Sequence, residues 1–284
     1  MIPFRRIIFP IDYSDACYSI VPFVRSTVER FAAELTLVHA YGAEGLSFVD
    51  LPIANPDLPT KVHEFENLRL RDHSEELFPG FRTTTFAELG EAGTVVQSVI
   101  ERQGCDLVML ATHGRGPIRR MMLGSVTMKV LHDASCAVWT ATPGAVASAT
   151  PDYRTVVCAV DDNDEGKSVM VAGAAVAKEY GAQLAIVHVL DLPPMSMEID
   201  YAAIKNELVQ GKQVRLREMV AGMNLDAPHS VIEGSVVHGL HDWLTEHHAD
   251  LLVTGRGHAQ EGLGRVWSNL YSIVREAPCP VLSI

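Results

Sequence analysis

The sequence predicts two tandem α/β domains, each built on a five-stranded parallel sheet with helices on both faces. Three observations carry this prediction. Ordered blocks of the first half recur in the second, short β-branched runs alternate with stretches of helical period, and a small-residue segment flanked by prolines divides the halves.

The repeat is read from four blocks. "RRIIFPIDYSD" returns as "RTVVCAVDDND", which sets Asp12 on Asp161, and "AELTLVHAYG" returns as "AQLAIVHVLD", which sets His39 on His188, both 149 residues apart. "LGEAGTVVQSVIERQGCDLVML" matches "EGSVVHGLHDWLTEHHADLLVT", pairing Gly90 with Gly234 and Asp106 with Asp250 at an offset of 144. "HDASCAVW" matches "REAPCPVL", with Cys136 on Cys279 at 143. Ordered blocks with slowly drifting offsets are the mark of duplication followed by small insertions and deletions. Between the copies, "TPGAVASATP" at residues 142–151 reads as a linker, placing the domains at 1–146 and 152–284.

Within the first copy the strand candidates are "IIFPI", "LTLVH", "TTTFAE", "LVMLAT" and "AVWTA" in chain order. Their nearly continuous apolar character fits strands of a parallel sheet covered on both sides. Between them lie helical stretches: in "TVVQSVIERQ", Val95, Val96, Val99 and Ile100 share one face.

Composition narrows the function classes. The chain has 284 residues, 48% of them hydrophobic and 20% charged, as expected for a globular protein with two cores. A net charge of -12 argues against nucleic acid and anionic membranes as partners. The halves differ: 13 basic against 17 acidic residues in the first, 10 against 18 in the second, so the first is the better host for an anion. Five cysteines with no C-x-x-C pair fit reduced thiols and a cytoplasmic protein, and no stretch has the length of a membrane span or a signal peptide.

"PIDYSD" after the first strand, "LVHA" after the second, and "DLVMLATHG" followed by nine residues and "GSVT" resemble a universal stress protein domain. The family's G-x-x-G-x9-G-[S/T] pattern reads Ala111, Gly114, Gly124 and Ser125 here, departing only at Ala111. The resemblance covers nearly the whole chain, twice. It implies Rossmann-like, doubly wound domains of strand order 3-2-1-4-5, paired as an internal pseudo-dimer. Strands one and four then flank a topological switch point, where ligands of open α/β sheets sit.

The resemblance further implies ATP, or AMP or ADP, with Mg²⁺ as ligands of the first domain. Pro10, Ile11 and Asp12 would follow the first strand, with Asp12 near adenosine or a metal-bound water. Ala40 would lie beside adenine, and Leu110, Ala111, His113, Gly114 and Arg115 would follow the fourth strand. Gly124, Ser125, Val126 and Thr127 would open the last helix, whose unpaired amides and positive dipole end suit phosphate. Arg115, Arg119 and Arg120 add positive charge to the intervening loop. The bland alternative is a glycine turn with a serine N-cap.

The second copy departs from this pattern. Alignment back from Cys279 puts Trp267 on Gly124, Asn163 replaces Ser14, and "DDNDEG" would set four carboxylates against a triphosphate. That domain is expected to hold no ATP, or something less charged. Gly166-Lys167-Ser168 imitates the end of a phosphate-binding loop but reads as an exposed helix turn. His238, His241, His247 and His248 read as a polar face in preference to a metal site.

These readings favour an ATP-binding sensor or adaptor that acts on unknown protein partners. A slow ATPase or phosphotransferase and a nucleotide-free scaffold are the alternatives. No carboxylate pair or separate general base aims at the expected γ-phosphate, so no catalytic residue is assigned. The apolar final strands "AVWTA" and "PVLSI" invite edge pairing of the two halves, and a homodimer is possible.

Overall fold

A computed structural model describes residues 4–42, 58–112, 123–191, 201–257 and 265–284, the side chains of 201–204 and 265–268 excepted. The chain divides into two compact units, Phe4–Pro143 and Gly144–Ile284.

In the first unit the elements run β1 (Arg6–Pro10), α1 (Asp15–Ser19), α2 (Val21–Phe31), β2 (Glu34–Tyr41), α3 (Leu58–Leu77), β3 (Thr83–Leu89), α4 (Ala92–Gln103), β4 (Leu107–Ala111), α5 (Ser125–Asp133) and β5 (Ala137–Ala141). The strands are parallel and ordered β3-β2-β1-β4-β5, with Ile7 opposite both Leu35 and Leu107. Ile7, Ile8, Phe9 and Val108 are fully buried, as central strands covered on both faces must be.

After α6 (Pro143–Ser148), the second unit repeats the plan with β6 (Thr155–Ala159), α7 (Asp164–Tyr180), β7 (Gln183–Leu190), α8 (Tyr201–Gly222), β8 (His229–Glu233), α9 (Val236–Glu246), β9 (Leu251–Thr254), α10 (Arg265–Glu276) and β10 (Val281–Ser283). Its parallel order is β8-β7-β6-β9-β10. Both units therefore show the expected 3-2-1-4-5 winding.

The duplicated aspartates explain themselves at the amino ends of the strands. Asp106 accepts the backbone N–H groups of Arg5 at 2.8 Å and Arg6 at 3.1 Å, and Asp250 accepts those of Arg154 at 2.8 Å and Thr155 at 2.9 Å. Each staples the start of one central strand to its neighbour, at the opposite end of the sheet from the candidate site.

Two local differences depart from the simple repeat. α7 is continuous, whereas its counterpart breaks at Ile20 into α1 and α2, because Pro22 stands where the second copy has Val171 and cannot donate inside a helix. The proline-flanked segment read as a linker contains α6, which opens on Pro143 and buries Ala145.

Candidate functional site

In the first unit, adjacent strands β1 and β4 end side by side, and the chain beyond each is tied down. Ile11 donates its N–H to Val38 O at 2.8 Å and accepts from His39 Nδ1 at 2.7 Å. His39 is buried in β2, and the second copy repeats the bond from His188 Nδ1 to Val160 O at 2.8 Å. The shared histidine is thus a clamp on the end of the first strand of each half.

That clamp aims Asp12 past the strand end. Asp12 Oδ1 accepts from Ser14 N at 2.9 Å and Ser14 Oγ at 2.6 Å, while Ser14 Oγ caps α1 by accepting Cys17 N at 3.1 Å. Pro10 and Asp12 are half-buried and Ile11 is buried. Beneath this loop, burial pushes the Cys17 thiol up to about 12.

On the other side, Thr112 donates to Ala141 O at 3.0 Å and accepts from Gly124 N at 2.9 Å. Thr127 Oγ1, buried in the first turn of α5, lies 3.3 Å from Ala111 O and 3.4 Å from Thr112 O. These bonds bring the start of α5 to the end of β4. Gly124 is the N-cap at φ -63° and ψ 148° and offers no side-chain capping bond. Ser125 is exposed, Val126 half-buried, and Leu110, Ala111 and Ala40 lie at the ends of β4 and β2. His113, Gly114, Arg115, Arg119 and Arg120 lie outside the described residues.

Residues that the sequence patterns did not single out also meet here. Tyr13, beside Asp12, has a left-handed backbone at φ 60°, a conformation that costs on the order of 1–3 kcal/mol and persists only where the surroundings enforce it. Its ring packs 4.5 Å from that of His39 and 4.8 Å from that of His73, and the Arg69 guanidinium lies 3.9 Å from its centre. Glu66 stands 3.8 Å from His39 and 3.7 Å from Arg69. Glu66, Arg69 and His73 share one face of α3, a spacing visible in sequence, but nothing local reveals that this face meets the loop after β1.

The second unit makes the corresponding connection with salt bridges. Asp162, at the place of Tyr13, pairs with Lys212 at 2.8 Å and Arg215 at 3.1 Å from α8, and these partners hold its carboxyl below the ordinary range, Lys212 most.

Of the four carboxylates in "DDNDEG", three have hydrogen-bond partners within the second unit. Besides Asp162, Asp164 pairs with Lys167 at 2.7 Å, and Glu165 Oε1 accepts the Gly257 N–H at 2.6 Å. Asp161 keeps a side chain 74% exposed, 3.5 Å from His188 Nδ1.

Matching bonds from Thr112 to Ala141 and from Arg256 to Ile284 put Gly255 in register with Ala111. A Cβ on Gly255 would come within 2.5 Å of Glu165 Oε1. The first unit has the opposite combination, with Ala111 on the strand and Ala16 in place of Glu165. Ala111 lies in β4 and has no positive φ, so the missing glycine strains nothing.

At the far side of this site the aligned helices start differently. Ser268 aligns with Ser125, yet α10 already begins at Arg265, so Trp267 is inside the first turn and its backbone does not form the helix mouth that Gly124 forms.

Both remaining motifs have local structural partners. Gly166 is needed because a Cβ would strike Asp161 O at 2.0 Å, and Lys167 is an exposed partner of Asp164. His247 bonds Trp243 O at 2.9 Å and stacks on its ring, and among the described residues no group of three or more His, Cys, Asp or Glu could hold a metal ion. Among the same residues no helix is long and apolar enough to cross a membrane, and all five cysteines are free and buried.

Comparison with known proteins agrees with the doubled architecture. The sequence model of the universal stress protein family matches residues 3–141 and again 152–284. A universal stress protein from Thermus aquaticus is 27% identical over 135 residues, 46% of this chain and 98% of the relative. Universal stress protein MJ0577 of Methanocaldococcus jannaschii is 23% identical over 143 residues, 45% of this chain and 88% of the relative. The crystal structure of a universal stress protein from Archaeoglobus fulgidus shares the fold along 99% of this chain and 96% of its own, with a TM-score of 0.68 at 16% identity. This chain belongs to the universal stress protein family and carries its domain twice in tandem.

Proposed function

We propose that the first domain binds an adenine nucleotide, ATP or AMP or ADP, and that its occupancy sets which protein partners the chain meets, making it a cytoplasmic sensor or adaptor. One observation carries this reading. Gly124 leaves α5 without a side-chain cap at the carboxyl end of β4, although neither its backbone nor its neighbours among the described residues require a glycine. Its φ is ordinary, and a Cβ would meet Thr112 O at 3.5 Å and Thr127 Oγ1 at 3.7 Å, normal contacts. Among the described residues, what the glycine leaves is room for a ligand beside the amides that open α5, the setting in which helix termini hold phosphate.

The candidate residues suit such a ligand by their chemistry. The amides of Ser125, Val126 and Thr127 would take phosphate oxygens, with Gly114 and Arg115 completing the cradle. Pro10, Ile11, Ala40, Leu110, Ala111 and His113 would border the adenosine. Asp12, positioned by Ser14 and only half-buried, would meet the ribose or, through water, a phosphate-bound Mg²⁺. Bound Mg²⁺ would neutralise phosphate charge. In the second domain α10 begins three residues before the serine that aligns with Ser125, and that domain is assigned no nucleotide.

The apolar final strands of the two halves favour their association as an internal pair. Denaturing protein purified without added nucleotide and identifying what it releases tests the reading. An adenine compound at up to one per chain is expected; a chain that releases none and binds none on titration contradicts it.

A further inference from the structure

The second unit contains a cavity of about 160 Å³ at the carboxyl ends of β6 and β9. We propose that it binds a small organic cation, an apolar body of roughly benzyl size carrying a protonated amine. The inference rests on the second unit alone and stands apart from the nucleotide reading of the first.

Size and wall chemistry define the body of the ligand. The lining includes Val160, Val169, Val189, Leu240, Leu270 and Ile273, an apolar surface contributed by α7, α9, α10 and the carboxyl ends of β6 and β7. A closed apolar cavity of about 150 Å³ accepts a single aromatic ring, and the apolar side of this more open, partly polar cleft offers comparable space.

Charge defines its head. Asp161 and Glu165 line the same cavity, and its described lining contains no lysine or arginine. Glu165 accepts the Gly257 N–H at 2.6 Å, which fixes the carboxylate at the wall and engages an amide that an incoming anion would need. A carboxylate accepts several hydrogen bonds at once, so holding Gly257 leaves Glu165 able to accept from an ammonium as well. Gly255 is the feature that admits this carboxylate, since any Cβ there would meet it at 2.5 Å. An anion would face two like charges beside a surface of low dielectric, while an ammonium would be drawn to both.

Three probes of one size and different charge test this on the full chain: benzylamine, benzyl alcohol and benzoate, titrated while the amide resonances of Gly255 and Gly257 are followed by NMR. Benzylamine is expected to shift both amides and to bind at least tenfold more tightly than benzyl alcohol, with benzoate weakest. Glu165→Gln keeps an acceptor for Gly257 and should bring benzylamine close to benzyl alcohol; Asp161→Asn, on the exposed rim, should cut the preference by a smaller factor. Benzoate binding as well as benzylamine, an undiminished preference in both variants, or no shift at these amides with any probe would overturn the proposal.

Discussion

Asp12 and Ser14 form a closed pair in which one carboxylate oxygen accepts both the backbone N–H, at 2.9 Å, and the hydroxyl, at 2.6 Å, of the serine. The same hydroxyl oxygen caps α1 through Cys17 N. A single serine therefore fixes both the acidic residue expected at the nucleotide and the helix behind it. Ser14→Ala should cost about 1 kcal/mol of stability, the usual loss of an N-cap, and should also weaken MgATP binding because Asp12 loses its support. Urea unfolding and calorimetry on one preparation check both effects; a stability loss with unchanged affinity would remove Asp12 from the site.

Glu165 and Gly255 are coupled by space. Gly255→Ala alone forces the carboxylate from its seat and should destabilise by about 1–2 kcal/mol, in the range of overpacking. Combined with Glu165→Ala, which restores the Ala16 and Ala111 pairing of the first half, it should cost measurably less than the sum of the two single changes. A double-mutant cycle by chemical denaturation measures the difference, and strict additivity would show that the two residues do not share this space.

The Cys158 thiol is raised by burial from its ordinary 9.0 to about 12. A group whose folded pKa is raised contributes stability that is complete below its unfolded pKa and is lost as pH climbs towards the folded one. The window is thus pH 9 to 12, where the unfolded chain releases the proton and the folded chain retains it. Between pH 7.5 and 10.5, wild type should lose about 2 kcal/mol more than Cys158→Ala through this thiol. Denaturant midpoints at the two pH values give the comparison; equal losses would place the alkaline sensitivity elsewhere.

The repeat and the clamp positions are legible in sequence because duplication writes each of them twice, whereas the strand order is implied by the family resemblance. Asp12 and Asp161, His39 and His188, and Asp106 and Asp250 align from the order of residues alone, and two of the three pairs make the same bonds in both halves. Contacts that differ between the copies are not legible in this way. Tyr13 meeting Arg69 and His73, or Asp162 meeting Lys212, joins residues some fifty positions apart through the docking of a long helix, and the two chemistries share no pattern. Glu165 is a different case: it reads as one more charge in an acidic loop, and only its distance from Gly255 and Gly257 shows it turned into the site. Pro22 against Val171 is visible in the aligned copies, but its effect depends on where the helix begins.

Gly124→Asp separates fold from ligand more cleanly than any other change. The position has the extended backbone of an N-cap, aspartate is a preferred residue there, and its charge suits the helix dipole, so stability should hold or rise by a few tenths of a kcal/mol. The same carboxylate would occupy the amides that phosphate needs. Calorimetric titration of MgATP into wild type and Gly124→Asp is the direct measurement. The account predicts one site per chain in wild type and at least a hundredfold loss of affinity in the variant, with an unchanged melting profile. Unaltered binding in Gly124→Asp, or two equivalent sites per chain, would contradict it.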